Sequence, residues 1–98
     1  MNSLIQDIFE TSEAIKNGRT IKDVYIYGQS EMGELAEEIN IDFGMSNKLP
    51  GKDGIVGEAI DAIICLFDLI HIQEPELTPQ ALQLMCQVKL LKWQNSKK

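Results

Sequence analysis

Between Ile55 and Ile72 the chain leaves almost no side of a helix for water. Ile55, Val56, Ala59, Ile60, Ala62, Ile63, Ile64, Leu66, Phe67, Leu69 and Ile70 cover most of the circumference, so a helix here is expected to be buried nearly all round. Its exceptions, Glu58, Asp61 and Asp68 with Cys65 between them, fall on one narrow stripe. A charge inside such a helix is costly unless it is paired or coordinated to a metal. The segment contains no lysine or arginine, and its one histidine, His71, stands at the far end. Glu58 and Asp61 therefore need a partner from another element.

Helical periodicity also governs the rest of the chain. In the first segment Leu4, Ile5, Ile8, Phe9 and Ile15 recur at helix spacing, Ser3 and Gln6 predict a capping box, and Gly18 a stop. A second helix is predicted from Thr20 to about Asn40, because Ile21, Val24, Tyr25, Gly28, Met32, Leu35, Ala36 and Ile39 step by three and four. Residues 43–54, FGMSNKLPGKDG, read as a loop. EPELTP breaks the chain again, and Thr78 and Pro79 are expected as N-cap and first residue of a fourth helix running to about Asn95. No β-alternation or repeat is evident, so residues 1–98 are read as a single all-α, four-helix domain.

The fourth segment is apolar on two sides. Ala81, Leu84, Met85, Val88 and Leu91 make one seam, and Leu82, Cys86 and Trp93 another. Three partner helices of one copy do not readily cover both, so a homo-oligomer, dimer or tetramer, is expected. A short chain has modest burial of its own, which makes assembly or a bound metal a natural supplement.

Charge narrows the partners. Fifteen acidic residues against nine basic ones give a formal net charge of −6, which disfavours polymeric nucleic acid. Most of the positive charge is local: Lys89, Lys92, Lys97 and Lys98 crowd the C-terminal end, where a small anion could be met. Cys65 and Cys86 sit in apolar runs without CxxC spacing, so both are expected as buried free thiols in a reducing compartment. No leader pattern and no membrane-length apolar run is present, so the expected location is cytoplasmic, away from membranes.

The second helix supplies the missing partners. In EMGELAEEI, residues 31–39, Glu31, Glu34 and Glu38 share a narrow arc beside the apolar face, whereas Glu37 points further toward solvent. A solvated acidic face would explain these three alone, but like charges at this spacing oppose the helix by a few tenths of a kcal/mol per pair. If the second and third helices pack antiparallel, Glu31 and Glu34 face Glu58 and Asp61. Two carboxylates about 6 Å apart, at an effective dielectric of about 20, repel by roughly 3 kcal/mol, and a divalent cation turns that repulsion into attraction. Ligation by oxygen alone suits Mg²⁺, with Mn²⁺ as a substitute, rather than Zn²⁺. A ferritin-like di-iron centre needs Glu-x-x-His pairs, which the single histidine does not provide.

EMGE at 31–34 and EAID at 58–61, separated by 23 residues, resemble the paired Glu-x-x-Glu and Glu-x-x-Asp motifs of the all-α MazG-like nucleoside triphosphate pyrophosphohydrolases, relatives of the dimeric dUTPases. The GEL triplet at 33–35 and the apolar continuation after Asp61 are similar too, and the resemblance spans roughly residues 20–95. It implies hydrolysis of a (deoxy)nucleoside triphosphate to monophosphate and pyrophosphate in nucleotide-pool housecleaning. Mg²⁺ would be held by Glu31, Glu34, Glu58 and Asp61. One carboxylate of that set, Glu34 in particular, or Glu38 beside it, would orient or deprotonate the attacking water. VKLLKW at 88–93 is similar to the family's phosphate-facing segment, which implies Lys89 and then Lys92 as substrate-binding residues, although Trp93 stands where many relatives carry asparagine or arginine. Trp93, Tyr27 and Phe43 are candidates to stack the base, although aromatic residues at helical spacing are more often core. Asp68 would support the metal site or reach solvent. A non-catalytic helical interaction or regulatory module with an acidic patch is the alternative, and it predicts no metal affinity.

Overall fold

The computed structural model describes residues 2–96, and among them it has four helices and no strand: α1 (Asn2–Ala14), α2 (Ile21–Asp42), α3 (Gly54–Gln73) and α4 (Pro79–Ser96). The Ser3 side chain of the expected capping box, and Lys97 and Lys98 of the basic end, lie outside the described residues.

Local chemistry sets the helix ends. Thr20 has extended backbone and closes a capping box with Asp23: the Asp23 amide donates to Thr20 Oγ1 at 3.3 Å, and the Thr20 amide to Asp23 Oδ2 at 2.9 Å. Thr78 caps α4 as its sequence predicts, accepting from the Ala81 amide at 3.1 Å ahead of Pro79. α1 ends earlier than its apolar rhythm, because Asn17 and Gly18 have φ of 35° and 82° and the left-handed pair turns the chain toward Thr20. Ile15 consequently falls outside α1 and is exposed.

α2 and α3 form an antiparallel hairpin. Ascending α2 from Val24 to Glu34 corresponds to descending α3 from Cys65 to Glu58: Cys65 Sγ lies 3.9 Å from the Val24 carbonyl oxygen, and Glu34 meets Glu58. Gly28 permits this approach, since a Cβ there would stand 3.3 Å from Cys65 Sγ. α1 packs on α3 and carries α4. Ile5, Phe9 and Leu82 form the core cluster, with Phe67, Ile70 and Leu77 against it. Each such side chain, fully buried, contributes about 1.5–3 kcal/mol. His71 stacks on Phe9 with ring centroids 5.0 Å apart, and its Nε2 lies 2.9 Å from Glu13 Oε1.

In the single chain α3 is not buried all round, contrary to the expectation from its composition. Ile60, Ile63, Ile64 and Leu66 remain about half exposed, Ile60 at 50%. The reason lies in α4, which packs along α1 instead of crossing the open side of α3. Leu82 is its one buried residue, and Leu84, Met85, Val88 and Leu91 face outward. The molecule is thus a slab of 45 × 43 × 23 Å, with a radius of gyration of 15.7 Å. A compact domain of this length has about 13 Å. No helix of the described residues is long and apolar enough to cross a membrane.

Candidate metal centre

The α2–α3 hairpin brings carboxylates together near its loop end. Glu31 and Glu34 from α2 and Glu58 from α3 each place an oxygen within 4.8 Å of the others, and Asp53, Glu58 and Asp61 do the same. Glu58 belongs to both groups. Among the described residues, no lysine, arginine or histidine forms an ion pair with any of these five. Glu58 Oε1 is buried and accepts no hydrogen bond. Glu31 is only 7% exposed, and its charge holds the nearby Tyr27 phenol above its ordinary pKa. The Glu58 carboxyl is raised by burial, then by Glu34 and Asp61. A buried oxygen without a donor, crowded by like charge, is an environment that a divalent cation with oxygen ligands relieves.

No protein-family model, curated protein or solved structure matches this chain.

A cavity of about 700 Å³ opens beside the carboxylates, between α1 and the hairpin. Glu31 and Asp61 line it at the carboxylate end, Ile8, Val24 and Ile64 give it apolar walls, and Tyr27 is the one candidate base-stacking residue to reach it. Phe43 ends α2, and Trp93 stands exposed on α4; neither lines this cavity.

Asp68, on the same stripe of α3, neither supports the carboxylate cluster nor reaches freely into solvent. Its Oδ2 accepts from Arg19 Nη1 at 2.7 Å, and its Oδ1 from Ser12 Oγ at 2.5 Å. Burial would raise this carboxyl, but the Arg19 guanidinium and the Ser12 hydroxyl outweigh it and hold it below the ordinary value. The partner comes from the turn after α1, which periodicity does not locate.

Two acids of α2 serve the loop. Glu38 accepts from the Gly51 amide at 2.9 Å, and Glu37 accepts from Ser46 Oγ at 3.2 Å with Lys48 Nζ at 3.9 Å. Glu38 is therefore not brought into either group of converging oxygens, and Glu37 does more than solvate the helix. Lys89 and Lys92 are exposed on α4, away from the cavity. Asp53 is the residue that sequence reasoning missed. Its signal was its place four residues before Gly57, whose missing side chain makes room for it.

The charge crowding has a pH signature without divalent cations. A proton binds Glu58 more tightly in the folded chain than in the unfolded one, so this stabilisation is complete below the ordinary carboxyl pKa and is lost as pH rises through the elevated folded value. Asp68 has the opposite sign: its contribution is present above the ordinary carboxyl pKa and is lost as pH falls through its depressed folded value. The melting temperature is expected to rise from pH 7 toward about pH 5 and to fall below about pH 4. Calorimetry across this range checks it, and Glu58→Gln is expected to abolish the first limb while keeping the second.

Proposed function

We propose that the chain is a Mg²⁺-dependent nucleoside triphosphate pyrophosphohydrolase of the MazG-like kind, acting as a homo-oligomer. The observation that carries this reading is the convergence of Glu31, Glu34 and Glu58 within 4.8 Å, free of cationic partners, at the mouth of a cavity that Glu31 and Asp61 also line. At about 700 Å³ the cavity lies within the usual range for small-molecule sites, roughly 300–1,000 Å³, and its apolar walls suit a nucleoside.

Glu31, Glu34, Glu58 and Asp61 would hold Mg²⁺, with Mn²⁺ able to replace it. When bound, the ion neutralises polyphosphate charge and acidifies coordinated water. The remaining work falls to the protein. The buried side of the hairpin fixes the carboxylates, so their geometry is set before substrate arrives. Glu34, more exposed than Glu31, would accept a proton from the attacking water. Glu38 positions the 43–53 loop through Gly51 and acts on the centre indirectly. Lys89 and Lys92 enter the site only where a second copy brings its α4 to the cavity. The apolar faces of α3 and α4 left open in one chain support such an assembly.

Incubation with Mg²⁺ and a panel of normal and damaged nucleotides tests the activity. Monophosphate and pyrophosphate are the expected products, and absence of both across the panel would sink the enzymatic reading. If Mg²⁺ also leaves the melting temperature unchanged, the interaction-module alternative stands in its place, because an ion at about 100 times its Kd adds about 2.7 kcal/mol.

A further inference from the structure

We infer that the cavity between α1 and the hairpin selects nucleotides whose base carries an exocyclic amino group, read by the Arg19–Asp68 pair at the end away from Glu31 and Asp61. This rests on the nucleotide reading above and names its substrate class. The cavity is a slot along the hairpin, lined by α2 from Asp23 to Glu31 and by α3 from Asp61 to Asp68. At 1.5 Å per residue, Asp61 and Asp68 stand about 10 Å apart along α3. With the polyphosphate at the Glu31 and Asp61 end, that distance is the reach of a nucleoside from its 5′ oxygen to the far edge of its base. Ile8, Val24 and Ile64 then meet the apolar faces of sugar and ring.

The far end presents one donor and one acceptor side by side. Arg19 Nη1 donates to Asp68 Oδ2 at 2.7 Å, while Nη2 is taken up by Asp68 Oδ1 at 3.1 Å and the Ser12 carbonyl at 3.3 Å. Ser12 Oγ fills the other lone pair of Asp68 Oδ1. One Nη1 proton of Arg19 and one lone pair of Asp68 Oδ2 are left over. The pair is held and still reachable: Ser12 behind it is 2% exposed, and the side chains of Arg19 and Asp68 are 27% and 16% exposed. An amino group beside a ring-nitrogen acceptor, as in cytosine and adenine, matches this donor and acceptor.

Charge decides between amino and oxo bases. Beyond Glu31 and Asp61, the described residues that line the cavity bring three carboxylates, Asp7, Asp23 and Asp68, against one cation, Arg19. Arg19 is committed to Asp68, and among the described residues no cation pairs with Asp7. An exocyclic amino group brings two N–H donors to walls rich in acceptors. A carbonyl in its place turns an acceptor toward carboxylates and leaves one of them without a donor.

Matched substrates test the inference: dCTP against dUTP, and dATP against its hypoxanthine counterpart dITP, each with Mg²⁺. The amino member of each pair is expected to have the higher kcat/KM by at least about tenfold, mostly through KM. Asp68→Asn is expected to bring each ratio close to one, and Asp7→Asn, at an exposed position of α1, to lower it; a general loss of activity cancels in the ratio. Asp7→Asn decides the matter where Asp68→Asn does not fold. Equal kcat/KM for both members, a preference for the oxo member, or ratios that survive the substitutions overturn the inference and leave the pyrophosphohydrolase reading standing. If no member is hydrolysed, that reading falls, and calorimetry of the chain with deoxycytidine and with deoxyuridine decides the base site by itself. Tighter binding of deoxycytidine supports it, and equal binding or none overturns it.

Discussion

Glu34→Gln is expected to lower nucleoside triphosphate turnover at least about 100-fold, since even residues that only support a metal ligand are worth about 10–100-fold. The change keeps the side chain's size and removes its charge, so the hairpin has no packing reason to fail. Without divalent cations the variant is expected to melt no lower than the unaltered chain, because it removes one of the carboxylates crowding Glu58. With Mg²⁺ the order reverses, as the variant loses most of the ion-dependent stabilisation. Paired melting curves with and without Mg²⁺, beside a pyrophosphate-release assay, read both effects. A variant that loses stability equally in both conditions would mean that Glu34 serves the fold instead of an ion.

Leu82→Ala is expected to produce the largest loss of stability. Leu82 is the one buried residue of α4 and meets Ile5 and Phe9 in the core cluster. Leucine-to-alanine changes at such sites cost about 3 kcal/mol, a large part of the stability of a small domain. For a chain of this length that corresponds to a fall in melting temperature on the order of 15 °C. Sedimentation of the same variant reports on assembly. If the outward face of α4 meets a second copy, its detachment is expected to shift the protein toward single chains. Unchanged stability would place the anchor of α4 elsewhere.

The helices were legible because each carries its own period and punctuation: Thr20 at the start of α2, Thr78 with Pro79, and the glycine-rich loop before α3. The meeting of EMGE with EAID was legible for a related reason, since a short loop between two long amphipathic helices leaves antiparallel packing as the simple solution. What stayed hidden depended on facts that periodicity does not hold. Arg19 reaches Asp68 from a left-handed turn whose direction no helix wheel contains. Asp53 sits outside any period, at a helix start where a different role was to be expected. Glu38 shares its arc with Glu31 and Glu34, but one turn further along α2 it meets the loop amide of Gly51 and is taken by it. The apolar girth of α3 was legible, but not what covers it, because composition does not say that α4 leaves along α1.

The slab has one further consequence. At 23 Å it is about two helices thick, each helix with its side chains being about 10–12 Å across. No carboxylate in such a body is more than one layer from bulk water, even one as enclosed as Glu31. Ions and water therefore need no opening of the fold to enter or leave. A cation held at these carboxylates would therefore be an exchangeable one, its occupancy following the divalent-ion concentration of its surroundings rather than the history of the chain's folding.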